Sequence, residues 1–411
     1  MLNSKRIVVV GGGAAGIFAA ITAAEADPSA VVEVYERGSS FLSKVKISGG
    51  GRCNVTHACF EPRRLVQNYP RGGKALIGPF HRFQVEDTVA WFDAHGVELK
   101  TEKDGRMFPV TDDSLTIMEA LLGACRSLGV KLSKSVEVTG VEQLEEGGFQ
   151  LSLGKVGEVT RCDRLLLATG GPTGGRLQDL IMGLGHKVIA PVPSLFTFNI
   201  ELEWLRTLSG LSVPDVVTAV EGSKLKERGP VLITHWGVSG PGILKLSAWG
   251  ARELHARGYG FTLELDWLAG LSRGDVEAAL DERRQKAPAK MVSNWPLQPI
   301  PARLWEQFLV QAGIAGETRW AELPKAQERA LIEILKSSKL PVRGKSTNKE
   351  EFVTCGGVSL DEVNFKTMES RLVPGLHFAG ETLDIDGVTG GFNFQAAWTT
   401  GWLAGHAMAE G

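Results

Sequence analysis

The sequence predicts a mixed α/β fold, in which one domain built from both ends of the chain is interrupted by an inserted module of strands and helices. Three observations predict it. The chain opens with an apolar run, a helix-forming segment and a second apolar run. Near Val188 the pattern changes to alternating stretches, which charged helical segments follow. Apolar alternation and glycine clusters return from Phe352 to the end.

The composition is that of a globular protein and argues against several classes. At 411 residues the chain is long enough for two or three domains with a sizeable core. Its 45 basic and 47 acidic residues nearly balance, so we expect no nucleic-acid partner. The five cysteines form no CxxC pair, which favours a reducing, cytoplasmic location. No window reaches about 18 uninterrupted apolar residues, so we predict no membrane span.

The first elements form a βαβ unit. Residues 5–10 predict a buried strand, because a β-branched run there is followed by glycines. A helix is expected over residues 14–26, and a second buried strand over residues 31–35 leads into Glu36. The three glycines at 11–13 interrupt the apolar start, which argues against a signal peptide.

Further α/β elements and then the inserted module follow. Before Val188 we predict two amphipathic helices and a third buried strand, at residues 85–95, 115–128 and 164–168. After it, three alternating stretches resemble antiparallel strands, at residues 195–201, 216–220 and 261–265. Three charged segments predict helices, two of them with proline in the first turn, at residues 273–286, 301–312 and 324–336.

The glycines at 11–16 match the pattern GxGxxG and lie between a predicted strand and a predicted helix. Gly11 permits the tight turn, Gly13 lets the backbone approach a pyrophosphate, and Gly16 allows close helix packing. Glu36 lies where it would accept hydrogen bonds from ribose hydroxyls. This context predicts a Rossmann-type dinucleotide site; the alternative is a glycine-rich turn without a ligand. FAD and NAD(P) share the adenosine half, so the motif does not choose between them.

Two further segments favour FAD. Residues 46–54 predict an extended loop whose glycines would admit a flat ring or ribityl chain, although a surface loop is the alternative. Near the end of the chain we predict a strand over residues 376–380 and a helix over residues 395–408. The loop between them is rich in glycine and acidic residues. The start of that helix would stabilise negative charge on the pyrimidine edge of a flavin. The alternative is a turn that closes the sheet.

Five motifs together resemble a known family: SGGGRCNVT at 48–56, DGRMFP at 104–109, THWGVSGPGIL at 234–244, TCGGVS at 354–359 and FAGETLDIDGVTGGFNFQAAWTTG at 378–401. The chain resembles, over nearly its whole length, the HI0933-like group of bacterial flavoproteins. These are described as NAD(P)/FAD-dependent oxidoreductases or aminoacetone-oxidase-like proteins. The FAD domain is more distantly similar to those of fumarate reductases and of flavin enzymes that modify tRNA. Cys355 departs from the family pattern, where a small residue such as alanine is expected.

The resemblance implies a discontinuous Rossmann-type FAD-binding domain, an inserted β-barrel-like domain and a small helical domain. We place the FAD-binding domain at residues 1–190 and 345–411, the inserted β-rich domain at 191–270 and the helical domain at 271–344. FAD is expected to bind non-covalently. The residues expected to contact it are Gly11, Gly13, Ala14, Ala15, Gly16, Glu36, Arg37, Lys46, Ser48, Gly50, Gly51, Arg52, Cys53, Asn54, Val138, Ala168, Thr169, Gly170, Gly171, Gly380, Glu381, Asp386, Gly390, Gly391, Phe392, Asn393 and Gln395.

Three residues are candidates for the chemistry, and each has a structural alternative. His235 would donate a proton or bind substrate, but such a histidine is often only a hydrogen-bonded structural residue. Cys355 would alter the environment of the flavin, but a buried structural cysteine is the simpler interpretation. Arg52 would shape the reaction face. A redox disulfide between Cys53 and Cys59 is a minor alternative, and no metal site is expected because no ligand cluster has suitable spacing.

The leading hypothesis is an FAD-dependent two-electron oxidoreductase that acts on a small molecule. No second GxGxxG between a strand and a helix builds a nicotinamide domain, so NAD(P)H would be a transient reductant, with oxygen as another partner in flavin turnover. Two alternatives remain open at this point. One is a flavin-dependent protein that modifies RNA, and the other is a sensor that binds FAD without turnover. The sequence carries no signal for the oligomeric state.

Overall fold

The computed structural model describes residues 4–154, 157–171, 175–346 and 353–410. They form two compact units. The first unit contains the described residues up to Val192 and those from residue 353 on, and the second contains the described residues from Pro193 to residue 346. The predicted α/β fold class is confirmed by the order of strands and helices.

The first part of the chain carries most of the first unit. Its strands are β1 (Arg6–Val10), β2 (Val31–Glu36), β3 (Thr56–His57), β4 (Leu99–Thr101), β5 (Arg106–Pro109), β6 (Lys131–Lys134), β7 (Val138–Gln143), β8 (Phe149–Leu153), β9 (Val159–Cys162), β10 (Arg164–Leu167) and β11 (Val188–Ser194). Its helices are α1 (Ala14–Ala26), α2 (Ser43–Gly51), α3 (Pro62–Leu65), α4 (Gly73–Phe80), α5 (Val85–Ala94), α6 (Ser114–Ser127) and α7 (Arg176–Gly183).

The remaining elements follow in chain order. The second unit contains strands β12 (Phe198–Asn199), β13 (Ser212–Val220), β14 (Lys226–Thr234), β15 (Gly237–Ser239), β16 (Phe261–Asp266), β17 (Ser338–Val342) and β18 (Gly344–Lys345). Its helices are α8 (Glu203–Arg206), α9 (Pro241–Trp249), α10 (Ala251–Ala256), α11 (Arg273–Lys286), α12 (Ala302–Gln311) and α13 (Lys325–Ser337). The first unit is completed by β19 (Val353–Val358), β20 (Val363–Asn364), β21 (Glu369–Ser370), β22 (Leu376–Phe378) and α14 (Phe392–Glu410).

The main sheet of the first unit has the strand order β20-β21-β22-β10-β1-β2-β6 among the described residues. Strands β22, β10, β1, β2 and β6 pair in parallel. Their continuous apolar runs fit this position, because a parallel sheet is buried on both faces. Helix α1 packs along α14, and the C-terminal helix thereby joins the two ends of the chain in one domain.

Small residues allow this close approach of α1 and α14. A Cβ atom at Gly401 would lie 2.6 Å from the carbonyl oxygen of Ala15, and one at Gly405 would lie 2.5 Å from that of Ala19. Both distances are below van der Waals contact, so only glycine lets the helices approach this closely.

The second unit is built on an antiparallel sheet with the order β17-β16-β13-β14-β15-β12-β18 among its described residues. One hydrophobic core runs from this sheet into the helices α11 to α13, and it includes the fully buried Trp267, Trp305 and Trp320. The strands and the helices therefore form one compact unit. The boundary at residue 271 between a β-rich and a helical domain stays a prediction.

The buried His377 in β22 predicts a specific loss of stability in acid. Its side chain is 2% exposed, and burial lowers its pKa from 6.5 to about 4. The unfolded chain binds a proton below pH 6.5, whereas the folded chain binds it only near pH 4. Stability is therefore present above pH 6.5 and is lost as the pH falls toward 4, by roughly 3 kcal/mol.

This prediction is checked with His377→Gln, which cannot acquire the charge. We expect urea titrations to show a smaller loss of unfolding free energy between pH 6.5 and 4 in the variant than in the wild type. An identical pH dependence in the two proteins would show that His377 is not the titrating group.

Candidate functional site

Four neighbouring parallel strands of the main sheet end at the same edge, where the predicted cofactor segments lie. Gly11 follows β1, Glu36 ends β2, Ala168 follows β10, and Gly380 lies two residues after β22. Because the carboxyl ends of parallel strands meet at one edge, the four segments lie side by side. Ligands of open α/β sheets bind at this edge.

The three glycines of the fingerprint have distinct roles in the structure. Gly11 has a φ of 110°, and a Cβ there would lie 2.4 Å from the carbonyl oxygen of Ala168. A Cβ at Gly16 would lie 2.0 Å from the carbonyl oxygen of Gly11, so Gly16 permits close packing of α1 on the turn. At Gly13 a Cβ would meet no atom within 4 Å. Gly13 is therefore needed neither for its φ nor for packing within the protein, which fits approach by a ligand.

The start of α1 offers backbone donors to an anion. Gly13 is its N-cap residue, and no described side chain caps the helix there. The next two residues are Ala14 and Ala15, which present N–H groups without competing side-chain oxygens. An uncapped helix N-terminus binds phosphate groups through these donors and the helix dipole.

The carboxylate of Glu36 is oriented by two backbone groups. Gly12 N donates to one of its oxygens at 2.8 Å, and Gly38 N donates to the other at 2.6 Å. Each carboxylate oxygen keeps a lone pair, so both can also accept from ribose hydroxyls. The next residue, Arg37, is exposed. Val136 N donates to the backbone oxygen of Glu36, and Val138, two residues later in the chain, is the first residue of β7.

Replacement of Glu36 by alanine is expected to weaken FAD binding roughly tenfold to a hundredfold, because charge-assisted hydrogen bonds to the ribose are lost. FAD affinity is measured by equilibrium titration of the apoprotein. The matched control is Glu33→Gln on the same strand, whose carboxylate pairs with Arg6 and Lys131. Unchanged affinity in Glu36→Ala would mean that this residue does not hold the ribose.

The predicted extended loop over residues 46–54 is wrong in its first half. Helix α2 begins at Ser43, and Lys46 is an exposed residue within it. The helix is interrupted at Ser48, which has an extended backbone, before Gly49, Gly50 and Gly51 adopt positive φ values. Leu42, which precedes the helix, has a left-handed backbone conformation, and its side chain makes no capping hydrogen bond. The sequence therefore contains no capping residue that would indicate where the helix starts.

The glycine run leaves an open face. A Cβ at Gly50 or Gly51 would meet no atom within 4 Å, whereas one at Gly49 would lie 3.0 Å from the Phe108 ring. Positive φ, rather than packing, therefore requires glycine at 50 and 51. Bare backbone with open space beside it fits the predicted approach of a ring or ribityl chain.

Cys53 and Asn54 continue this segment and are both buried. Burial raises the pKa of the Cys53 thiol from 9.0 to about 12, so it is not a thiolate near neutral pH. All five cysteines are free thiols, so no Cys53–Cys59 disulfide is present. With its amide oriented to suit its neighbours, Asn54 accepts from Gly391 N at 2.9 Å and donates to Thr56 O and Met107 O. Asn54 thereby links this segment to the start of α14.

The strand β10 leads into a second glycine turn. Thr169 N donates to the hydroxyl of Thr382 at 3.0 Å, and that hydroxyl lies 3.4 Å from Gly170 O. Gly170 has a φ of 78° with no atom near its Cβ position, whereas a Cβ at Gly171 would lie 2.5 Å from that of Thr354. Thr382 was missed by the sequence analysis, and it ties this turn to the C-terminal loop.

The acidic residues of the C-terminal loop form ion pairs. Glu381 accepts from Lys44 at 2.6 Å, and the fully buried Asp386 binds Arg71 through both carboxylate oxygens. Asn393 Oδ1 accepts a hydrogen bond from Gly387 N at 2.8 Å, and Asn393 Nδ2 donates to Gly387 O at 2.9 Å. These two bonds fix the loop against the start of α14. Arg71 was not predicted, because it lies in none of the motifs.

The amide of Gln395 has three protein partners. Its oxygen accepts from Thr56 at 2.6 Å and from Thr88 at 3.0 Å, and its nitrogen donates to Thr399 at 3.1 Å. The side chain is fully buried. This arrangement is a structural one and gives no support to the prediction that Gln395 contacts the cofactor.

His57 was also missed, although it directly follows the SGGGRCNVT motif. Its Nδ1 lies 3.0 Å from Gly390 O, and its ring stacks on Phe392 with 4.6 Å between centroids. The hydroxyl of Tyr69 donates to Phe392 O at 2.6 Å. These contacts fix Gly390, which lies just before α14, and Phe392, the first residue of α14.

The three candidates for the chemistry are divided between the units. Arg52 in the first unit pairs with Glu102 at 2.7 Å and stacks on Phe108 at 4.0 Å, and the hydrogen bond to Glu102 raises its pKa. Cys355 lies fully buried in β19 of the same unit. His235 lies in the second unit, exposed in the turn between β14 and β15. Their roles in the chemistry stay predictions.

The described part of the chain contains no helix long and apolar enough to cross a membrane. It also contains no group of three or more histidine, cysteine or acidic side chains that could hold a metal ion.

The residues at the sheet edge fit FAD. The uncapped start of α1 suits a pyrophosphate, and Glu36 suits the adenosine ribose. The open faces of Gly50 and Gly170 suit the passage of a flat or extended group, because no protein atom lies near their Cβ positions. A nicotinamide cofactor would use the same adenosine half, but it would not need the additional segments near Gly50 and α14.

Comparisons with known proteins bear on this assignment. The profile of the HI0933-like protein Rossmann domain matches residues 5–407. The chain is 31% identical over 408 residues to the ribosomal RNA dihydrouridine synthase of Escherichia coli, with 96% of each chain covered. It is 29% identical over 414 residues to the 3-dehydro-bile acid delta(4,6)-reductase of Clostridium scindens, with 99% of each covered.

Solved structures show the same fold at low identity. The 3-ketosteroid-delta4-(5alpha)-dehydrogenase of Rhodococcus jostii RHA1 matches with a TM-score of 0.50 and 15% identity, over 98% of this chain and 97% of that one. The 3-ketosteroid delta1-dehydrogenase of Sterolibacterium denitrificans matches with a TM-score of 0.51 and 12% identity, over 99% and 100%. The match over nearly the whole chain confirms the resemblance seen in the motifs: the chain belongs to the HI0933-like family of FAD-dependent oxidoreductases.

Proposed function

We propose that this protein reduces a carbon–carbon double bond conjugated to a carbonyl group. One observation carries the proposal. Two relatives of about equal similarity, at 31% and 29% identity over nearly the full chain, have names that denote this reaction on unrelated molecules. Forming dihydrouridine saturates the double bond of the uracil ring, and a delta(4,6)-reductase saturates double bonds of a 3-oxo steroid. The reaction type is thus shared, whereas the substrates differ.

The site suits such a reaction. Bound in its reduced form, FAD supplies a hydride to one carbon of the double bond, and the neighbouring carbon gains a proton. The start of α14 is held by Asn54 and His57 through Gly391 and Gly390, so its positive end has a fixed position. Such a helix end stabilises negative charge on the flavin pyrimidine edge. We propose that FAD is bound non-covalently and that NAD(P)H reduces it transiently.

A second candidate substrate is uridine in ribosomal RNA, as the name of the relative at 31% identity indicates. The near balance of 45 basic and 47 acidic residues favours a small molecule instead. A sensor that binds FAD without turnover is the remaining alternative. It is disfavoured because both relatives carry the names of enzymes.

The test is anaerobic reoxidation of the reduced flavin. The holoenzyme is reduced with NADH or NADPH, or with dithionite if neither acts, and mixed with cyclohex-2-en-1-one or with a uridine-containing RNA. We expect the oxidised flavin band near roughly 450 nm to return, with the saturated product formed in equal amount. Return of the band with RNA alone would favour the second candidate. Failure with every conjugated acceptor would contradict the proposal.

A further inference from the structure

The guanidinium of Arg52 is held by the protein on one side only. Its Nη1 donates to Glu102 at 2.7 Å and lies 3.4 Å from a carboxylate oxygen of Asp112. Among the described residues, Nε and Nη2 have no hydrogen-bond partner. These two nitrogens form the edge of a guanidinium that binds two oxygens side by side. We call Nε and Nη2 of Arg52 the free edge.

The neighbouring Arg106 shows the same edge when it is occupied. Its Nε donates to Asp104 at 2.7 Å, and its Nη2 donates to Glu102 at 2.9 Å. Both arginines thus pair with Glu102, and both also lie over the ring of Phe108. The free edge therefore distinguishes Arg52 from the other arginine of the same cluster.

The guanidinium of Arg52 has a fixed position before any ligand binds. Its Cζ lies 4.0 Å from the centroid of the Phe108 ring, and Phe108 is fully buried. The ion pair with Glu102 holds Nη1 at the same time. A side chain that is already ordered loses little conformational entropy on binding. Since 33% of the Arg52 side chain is exposed, a ligand can reach it.

The charges around Arg52 leave it able to bind an anion. Its ion-pair cluster contains three basic and three acidic side chains, namely Arg52, Lys100, Arg106, Glu102, Asp104 and Asp112. The two carboxylates next to Arg52 each pair with a second cation, Arg106 for Glu102 and Lys100 for Asp112. They therefore do not need the whole positive charge of Arg52.

Arg52 directly follows the segment that is expected to lie along the flavin. A Cβ at Gly50 or Gly51 would meet no protein atom within 4 Å. Cys53 N donates to Ser48 O at 3.0 Å, so Arg52 belongs to the same turn as these glycines. The phosphates of FAD have backbone donors of their own at the start of α1. The anion that suits the free edge is thus best supplied by the substrate.

We propose that the free edge of Arg52 binds a carboxylate or phosphate group of the substrate, and that it selects conjugated acceptors that carry such a group. The two N–H groups donate to two oxygens of the anion, while Glu102 and Phe108 keep the guanidinium in place. The inference rests on the proposed function, because it names a chemical group on the substrate of the double-bond reductase.

The first test compares benzoate with benzamide, which have nearly the same shape and differ in charge. Dissociation constants for the oxidised holoenzyme are measured by ligand-observed NMR, and the visible spectrum of the flavin is recorded at each addition. We expect benzoate to bind roughly tenfold more tightly, or better, and to perturb the flavin band. Binding of benzoate without a change in that band would place the anion away from the flavin and would contradict a substrate site.

The second test uses variants of both arginines. Arg52→Gln removes the charge, so we expect benzoate and benzamide to bind about equally. Arg52→Lys keeps the charge but not the paired donors, and should weaken benzoate binding roughly fivefold. The control is Arg106→Gln, which removes one positive charge from the same cluster but no free edge. It should keep the preference for benzoate within about twofold of the wild type.

Three outcomes would overturn the inference. One is equal affinity of the wild type for the two ligands, and another is a preference for benzoate that survives in Arg52→Gln. The third is a loss of FAD affinity in Arg52→Gln with unchanged benzoate binding, which would show that the free edge serves a phosphate of the cofactor. Failure of the proposed function is distinguishable, because benzoate binding to the oxidised holoenzyme requires no reduction of an acceptor.

Discussion

Replacement of Gly13 by valine is expected to abolish FAD binding in a protein that remains folded. The backbone of Gly13 is extended, with φ −84° and ψ −171°, which a β-branched residue adopts readily. A Cβ there meets no protein atom within 4 Å. The new side chain would instead fill the space in front of the α1 N-terminus, where the pyrophosphate is expected. We expect the affinity for FAD to fall by roughly a hundredfold or more.

The measurement is the flavin content of the purified variant, together with its far-UV circular dichroism and thermal midpoint after FAD has been removed. Gly16→Ala is the matched contrast, because its Cβ would lie 2.0 Å from Gly11 O. That variant should lose stability as an apoprotein, whereas Gly13→Val should not. A Gly13→Val protein that purifies with full flavin content would refute the assignment of the fingerprint to FAD.

Replacement of Arg71 by methionine is expected to destabilise the first unit by about 3–5 kcal/mol. Arg71 binds both carboxylate oxygens of Asp386, and the two side chains are 11% and 0% exposed. Removing the guanidinium takes away the bidentate partner of a carboxylate that water cannot reach. The loss is measured as the change in unfolding free energy in urea, on protein saturated with FAD and on apoprotein.

The double variant Arg71→Met/Asp386→Leu is the control for this prediction. If the loss comes from a buried charge deprived of its partner, an apolar pair at the same place should recover most of the stability. An equal or larger loss in the double variant would mean that Asp386 also stabilises the unit through other partners. A loss below about 1 kcal/mol in Arg71→Met would contradict burial of this pair, since exposed ion pairs contribute that little.

Much of the first unit follows from local patterns in the sequence. The strand at Ile7, the helix from Ala14 and the strand that leads to Glu36 were predicted close to their observed bounds, because apolar periodicity and glycine placement are local signals. Helices α11 to α13 of the second unit were predicted within one residue at each end for the same reason, whereas α8, α9 and α10 were not predicted. The glycine fingerprint could also be assigned from the sequence, because a predicted strand precedes it and a predicted helix follows it.

Other features depended on contacts between distant segments. The chain around Lys46 was predicted as a loop because the glycine run dominates its composition, yet a helical turn forms before the glycines. Gln395 was assigned to the cofactor because it lies within the motif at 378–401, whereas Thr56 and Thr88, more than 300 positions away along the chain, donate to its amide oxygen. No local pattern reports such partners.

The sequence by itself therefore determined the fold class, the family and the edge of the sheet at which a dinucleotide is expected to bind. Only the tertiary structure decided which partners the buried polar side chains have within the protein. Asp386 is paired with Arg71, and the amide oxygen of Gln395 accepts from Thr56 and Thr88. The physical reason is that helix and strand periodicity act between neighbours along the chain, whereas hydrogen bonding of a buried group depends on whatever the fold places beside it.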